Sequence, residues 1–226
     1  MTPTPLAVGF DLDYTLWDPD AFFLSFLESL AVDWPGRLDR GRNELLQAFR
    51  SAHRRLTLAH PGLFDAALRD LDAWSPERVA ELVDRYHHHR PPAQPYPGAV
   101  ELLESLARRG LPRFLVTDGH APTQRHKVAA LGLAGQFNRM VFTGDFQPDR
   151  GKPSPFPFLV ACGSLGLDPA RCMYVGDNPL CDFQGPRRLG MTTVGVSTGP
   201  FVDLPVPADR APHRRIADLR ELEELL

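Results

Sequence analysis

The segment LAVGFDLDYTLWD, residues 6–18, decides how the chain is read. Leu6 to Phe10 is an apolar run of strand length. It ends abruptly in two aspartates, Asp11 and Asp13, with only Leu12 between them. Carboxylates this close repel each other, and withdrawing either from water is costly. Something elsewhere in the chain must offset that cost.

Working outward, strand-length apolar runs recur at 113–117 (RFLVT), 139–143 (RMVFT), 172–176 (CMYVG) and 192–197 (TTVGVS). Segments of helical periodicity lie between them, at 98–110, 123–133, 154–167 and 179–190. Gly110, Gly132, Gly166 and Gly190 each follow such a segment, where a left-handed residue ends a helix. Strands alternating with helices predict right-handed crossovers and a parallel sheet. Residues 14–97 break the alternation with helix-like patterns at 20–30, 37–56, 63–71 and 75–89, closed by the proline-rich RPPAQPYPG of 90–98. Ser75-Pro76 reads as an N-cap followed by a first-turn proline, and Asp18-Pro19 has the same form. The expected fold is α/β: a three-layer, Rossmann-like parallel sheet core formed by residues 1–15 and 97–226, with an all-helical cap, residues 16–96, inserted after the first strand. The tail from Pro205 reads as a loop, a short segment and a closing amphipathic helix.

A chain of 226 residues suits one large domain, or a core with a smaller insertion. Hydrophobic residues at 43% suffice for a core, yet no apolar stretch is long enough to span a bilayer. The start, MTPTPLAVGF, lacks the basic and long apolar regions of a secretory leader. A net charge of −3 gives no argument for nucleic acid or membrane partners. Cys162, Cys172 and Cys181 form no CxxC pair, which argues against zinc and for a reducing compartment, here the cytoplasm. Among 25 basic residues only Lys127 and Lys152 are lysines. A lysine in such a chain is worth examining, because arginine does not replace it where a compact point charge is needed.

Ligands of open parallel sheets bind at the carboxyl ends of the strands. Here those ends carry Asp11 and Asp13, then Thr117-Asp118-Gly119, then Thr143-Gly144-Asp145 with Lys152 following, then Gly176-Asp177 with Asp182 beyond. Four aspartates facing one lysine repel each other unless a divalent cation joins them. Oxygen ligands without thiol or imidazole favour Mg²⁺. The Thr117 hydroxyl and the backbone N–H groups after it offer an anion cradle, and Lys152 a positive point charge. Cation, anion cradle, lysine and carboxylate together describe phosphoryl transfer.

DLDYTL, LVTDG, GKPSPFPF and VGDNPLCDFQGPRRLG, in that order, resemble the four motifs of the haloacid dehalogenase superfamily, in its phosphatase branch with a helical cap. The resemblance covers about residues 6–200. It implies a Mg²⁺-dependent phosphomonoester hydrolase acting on a small phosphorylated metabolite, with Asp11 as nucleophile and Asp13 as acid and base. It implies that Thr117, with the Asp118 and Gly119 backbone, and Lys152 hold the phosphoryl oxygens. The metal would be held by Asp11, the Asp13 carbonyl and Asp177, with Asp182 direct or water-mediated. Asp118 departs from the asparagine of many relatives and is expected to turn away from the phosphate. A phosphomutase shares all four motifs, and a catalytically silent phosphate-binding module is the non-enzymatic alternative. A dehalogenase needs no metal, against Asp13 and Asp177. A phosphonate hydrolase needs a cap lysine, which residues 16–96 lack.

Two other features have simpler readings. His87, His88 and His89 point in different directions on a helix and read as a solvated helix end. Phe22, Phe23, Phe26, Trp34, Phe49, Phe64 and Trp74 read as the packed core of the helical insertion, with one or two aromatic residues near Trp17 or Phe22 left to face substrate.

Overall fold

A computed structural model describes residues 5–38, 40–56, 60 and 62–226. The first four residues, where the reading of the leader begins, and Asp39, inside the pattern at 37–56, lie outside the described set. The chain divides into two compact units: Met1–Asp18 with Gln94–Leu226, and Pro19–Ala93.

The first unit is a parallel sheet of six strands flanked by helices. The strands are β1 (Ala7–Phe10), β2 (Arg113–Thr117), β3 (Arg139–Phe142), β4 (Cys172–Gly176), β5 (Thr192–Val196) and β6 (Arg214–Ile216), in the spatial order β3-β2-β1-β4-β5-β6. All four residues of β1 are buried, as its unbroken apolar run requires. β1 pairs with β2 (Phe10↔Leu115) on one side and with β4 (Phe10↔Val175) on the other. From β1 the chain winds outward through β2 and β3, then returns to start again at β4. The ends of β1 and β4 therefore form the switch point at which such sheets open a ligand crevice. The helices of this unit are α6 (Ala99–Arg108), α7 (Ala121–Ala130), α8 (Phe156–Ser164) and α9 (Gln184–Arg188). Phe114, Phe158 and Tyr174 pack in the core between sheet and α8, and the Tyr174 hydroxyl donates to the Val116 carbonyl at 2.9 Å. Gly110, Gly132, Gly166 and Gly190 adopt φ of +69°, +69°, +66° and +78°, the left-handed stops expected of them.

Two expectations at the C-terminal side need correction. The short tail segment is the sixth strand, which pattern alone misses because only Ile216 of its three residues is buried and the other two are exposed arginines at a sheet edge. The closing segment, Leu219–Leu225, is a 3₁₀ helix rather than an α-helix, capped by the Asp218 carboxylate on the Arg220 N–H.

The second unit consists of α1 (Pro19–Asp33), α2 (Pro35–Leu38), α3 (Arg42–Leu56), α4 (Leu63–Asp70) and α5 (Pro76–His88). Phe23, Phe26, Leu27, Trp34, Phe49, Leu68 and Leu82 form its core. The Ser75 Oγ accepts from the Arg78 N–H at 3.3 Å and Pro76 opens α5, as the sequence predicts. Trp74 corrects the aromatic reading: it is 42% exposed, with its Nε1 donating to Asp65, because it stands between helices instead of on an inward face. His89 corrects the solvated triplet, since its ring packs against Phe22 and Phe26 and its Nε2 lies 3.2 Å from the Ser25 hydroxyl. Among the described residues no helix is long and apolar enough to cross a membrane.

Candidate active site

Asp11 leaves the end of β1 with its N–H bonded to the Val175 carbonyl of β4 at 2.9 Å. The backbone then folds over Leu12, whose carbonyl accepts from the N–H groups of Thr15 and Leu16. Tyr14 takes the left-handed conformation, φ 57°. This turn buries Asp11 and leaves the Asp13 side chain partly open. Lys152, from the loop after β3, places its Nζ 2.7 Å from Asp11 Oδ1 and 2.7 Å from Asp182 Oδ1. The second Asp182 oxygen accepts from the Asn178 N–H at 2.8 Å. Asp177, at the end of β4, keeps its Oδ2 buried with no hydrogen-bond partner among the described residues. Asp11, Asp177 and Asp182 offer carboxylate oxygens within 4.8 Å of one another.

Burial raises the carboxyl of Asp11 to about 8, with Asp182 and Asp13 adding to the effect and Lys152 opposing it. Asp177 rises to about 9, by burial first and then by Asp182 and Asp11. Burial works against the charge on Lys152, but Asp11 and Asp182 outweigh it and hold the ammonium well above its ordinary range. One lysine therefore leaves three buried carboxylates short of positive charge. An orphaned buried oxygen in an all-oxygen donor set is what a hard divalent cation satisfies.

Two glycines hold this cluster in shape. A Cβ at Gly176 would stand 2.5 Å from Asp182 Oδ2, and one at Gly199 only 2.0 Å from Asp177 Oδ2. Gly199 lies beyond every motif, in the turn after β5, and the sequence reading missed it; the dipeptide Gly199-Pro200 was the available signal. Gly199→Ala is expected to displace the Asp177 carboxylate and weaken divalent-cation affinity about 10–100-fold. Calorimetric titration of the folded variant measures this; wild-type affinity would refute it.

Thr117 ends β2, Gly119 has φ 113°, and α7 opens at Ala121. Asp118 faces the loop before Lys152, where its Oδ1 accepts from the Thr143 hydroxyl at 2.6 Å and the Lys152 N–H at 3.2 Å.

Asp13 departs most from the sequence reading, which set all four aspartates against one lysine. Its carboxylate lies outside the acidic cluster and is held from another direction. Oδ1 accepts from Trp17 Nε1 at 2.8 Å and from Lys127 Nζ at 2.9 Å; Oδ2 accepts from Lys127 at 2.9 Å and from Gln124 Nε2 at 3.1 Å. Gln124 Nε2 also lies 2.6 Å from Thr117 Oγ1. Sequence reasoning missed Gln124 and left Lys127 unplaced, although the rarity of lysine had singled it out. Trp17 is buried with its indole on Asp13.

The family model described as haloacid dehalogenase-like hydrolase matches residues 6–190. A phosphoserine phosphatase of Thermus thermophilus is 35% identical over 148 residues, which are 66% of this chain and 57% of that protein; the chain thus spans little more than half the length of that relative. A glyceraldehyde 3-phosphate phosphatase of Methanopyrus kandleri is 31% identical over 191 residues, covering 83% of this chain and 81% of that protein. Among solved structures, the Bacillus subtilis HAD-hydrolase YfnB, described as bound to magnesium, superposes with a TM-score of 0.73 over 99% of each chain at 20% identity, a likeness of fold.

Proposed function

The chain belongs to the haloacid dehalogenase-like hydrolases, and on that premise we propose that it is a Mg²⁺-dependent phosphomonoester hydrolase that works through an aspartyl-phosphate on Asp11. The observation that carries the reading is the buried Asp11 carboxylate, bonded to Lys152 and set within 4.8 Å of the orphaned acid Asp177. In this reading an Asp11 oxygen attacks phosphorus and the ester O–P bond breaks, while Asp13 gives its proton to the departing oxygen. Water then attacks the aspartyl-phosphate, Asp13 takes the proton of that water, and inorganic phosphate leaves. Thr117 donates its hydroxyl and Lys152 its ammonium to phosphoryl oxygens, where negative charge builds in the transition state. Asp182, with both oxygens hydrogen-bonded, holds Lys152 in place. Mg²⁺ would be held by the Asp11 carboxylate, the Asp13 backbone carbonyl and Asp177, and it supplies neutralising charge at the phosphoryl oxygens.

The substrate class follows from the relatives, which are named for phosphoserine and glyceraldehyde 3-phosphate. A small phosphorylated metabolite is the proposed substrate, and the helical unit Pro19–Ala93 the proposed cap that selects its leaving group. Chain order supports the cap reading: this unit is inserted directly after the Asp11–Asp13 segment. The test is Mg²⁺-dependent phosphate release from a panel of serine, triose and sugar phosphates. Release no faster than that of the Asp11→Asn variant on every ester would refute the reading. Cap substitutions are expected to reorder the panel while sparing a small activated ester.

A further inference from the structure

We propose that Gln124 and Lys127 are positioning residues that fix the Asp13 carboxylate for proton transfer and orient the Thr117 hydroxyl toward phosphate. This rests on the reading of Asp13 as the acid and base. Residues three apart on a helix share a face, so α7 presents both side chains to the same carboxylate. An ionised carboxylate has two oxygens and about four lone-pair directions. Trp17 and Gln124 each take one direction, one on each oxygen, and the Lys127 ammonium spans both oxygens, so one of its two contacts can give way to the proton that Asp13 carries. Lys127 is itself buried, with its Nζ 5.5 Å from the centre of the Trp17 ring, so its ammonium has little freedom to leave. Asp13 is thereby held in one orientation although its side chain is partly open to solvent.

Gln124 extends the arrangement. A carboxylate only accepts, so the amide edge facing Asp13 must be the NH₂ group. The same nitrogen lies 2.6 Å from Thr117 Oγ1, which therefore accepts the second amide hydrogen. A hydroxyl that accepts from one side keeps its own hydrogen for another partner, which is what a phosphoryl-oxygen ligand needs. A single amide thus couples the proton-transfer group to the anion cradle.

The two residues should have separable effects. Lys127→Met keeps most of the length of the side chain and removes the terminal ammonium with its charge and donors. For an alkyl phosphate, whose leaving oxygen needs a proton, it is expected to lower kcat about 10²-fold, the scale of general acid–base catalysis, with KM within about twofold. The rapid first release of nitrophenolate from p-nitrophenyl phosphate, whose leaving group needs no proton, should stay within about twofold. Gln124→Met is expected to lower kcat for the alkyl ester too, and also to weaken inhibition by inorganic phosphate, because the Thr117 hydroxyl is released. Equal losses on both esters and on the burst, or unchanged turnover of the alkyl ester by both variants, would overturn the proposal. Gln124→Met keeps it testable should Lys127→Met fail to fold. Asp13→Asn separates the two levels: wild-type turnover by that variant refutes the reading of Asp13 itself, whereas its inactivity beside active Lys127→Met and Gln124→Met variants refutes only the positioning role.

Discussion

Asp11→Asn should leave a folded protein with turnover lowered roughly 10⁴–10⁶-fold, the loss seen when a covalent nucleophile is removed from a unit that acts together. An amide keeps the shape of the carboxylate but offers phosphorus no anionic nucleophile. The fold should tolerate the change. Lys152 retains Asp182 at 2.7 Å, and the β1–β4 bond at this position is made by the backbone N–H of Asp11. The amide also has no charge to bury, whereas burial and Asp182 oppose ionisation of Asp11 in the cation-free protein. Phosphate release and thermal unfolding on one preparation test both points. Activity within about tenfold of wild type would sink Asp11 as nucleophile.

Removal of divalent cations should abolish activity, and Mg²⁺ should restore it. Asp177→Ala should lower Mg²⁺ affinity by more than the 10–100-fold that loss of a supporting partner costs. The cluster also predicts a pH dependence of stability. Asp11 at about 8 and Asp177 at about 9 stand far above the ordinary carboxylate value of 3.8. Without cation the folded chain therefore holds protons that the unfolded chain has released. The stabilisation this brings is present at low pH and is lost as pH rises toward 8 and 9. Mg²⁺ binds the ionised carboxylates and competes with those protons, so the rise in melting temperature that it causes should grow from about pH 6 to about pH 9. A rise independent of pH, or full activity after exhaustive chelation, would count against the cluster as a cation site.

Much of the fold is legible in residue order because the responsible physics is local. The runs at 113–117 and 172–176 are strands with those same limits, since a strand buried along all or nearly all its length leaves an almost continuous apolar signature. Ser75-Pro76 starts α5 because one hydroxyl and one ring meet the needs of a first turn. Where burial is slight the signature fades. Arg214–Ile216 pairs at the sheet edge with one buried side chain, and α9 forms only over Gln184–Arg188, shorter than the periodicity of 179–190 suggests.

The motifs also made Asp11, Lys152, Asp177 and Asp182 legible as a group, because like charges at successive strand ends require a shared solution. Residue order alone determined these charges and their places at the ends of the strands. Only the tertiary structure decided how the positive charge is divided among them. Lys152 goes to Asp11 and Asp182, while Lys127, 114 positions from Asp13, closes on Asp13 instead. The helical period says that Gln124 and Lys127 share a face, but not what that face meets. That depends on the parallel pairing of β1 with β2, which sets Phe10 beside Leu115 and so brings the segment after β1 next to the helix after β2. The close approach of Gly199 to Asp177 has the same origin: it exists only once β4 and β5 lie side by side, and no local propensity encodes it.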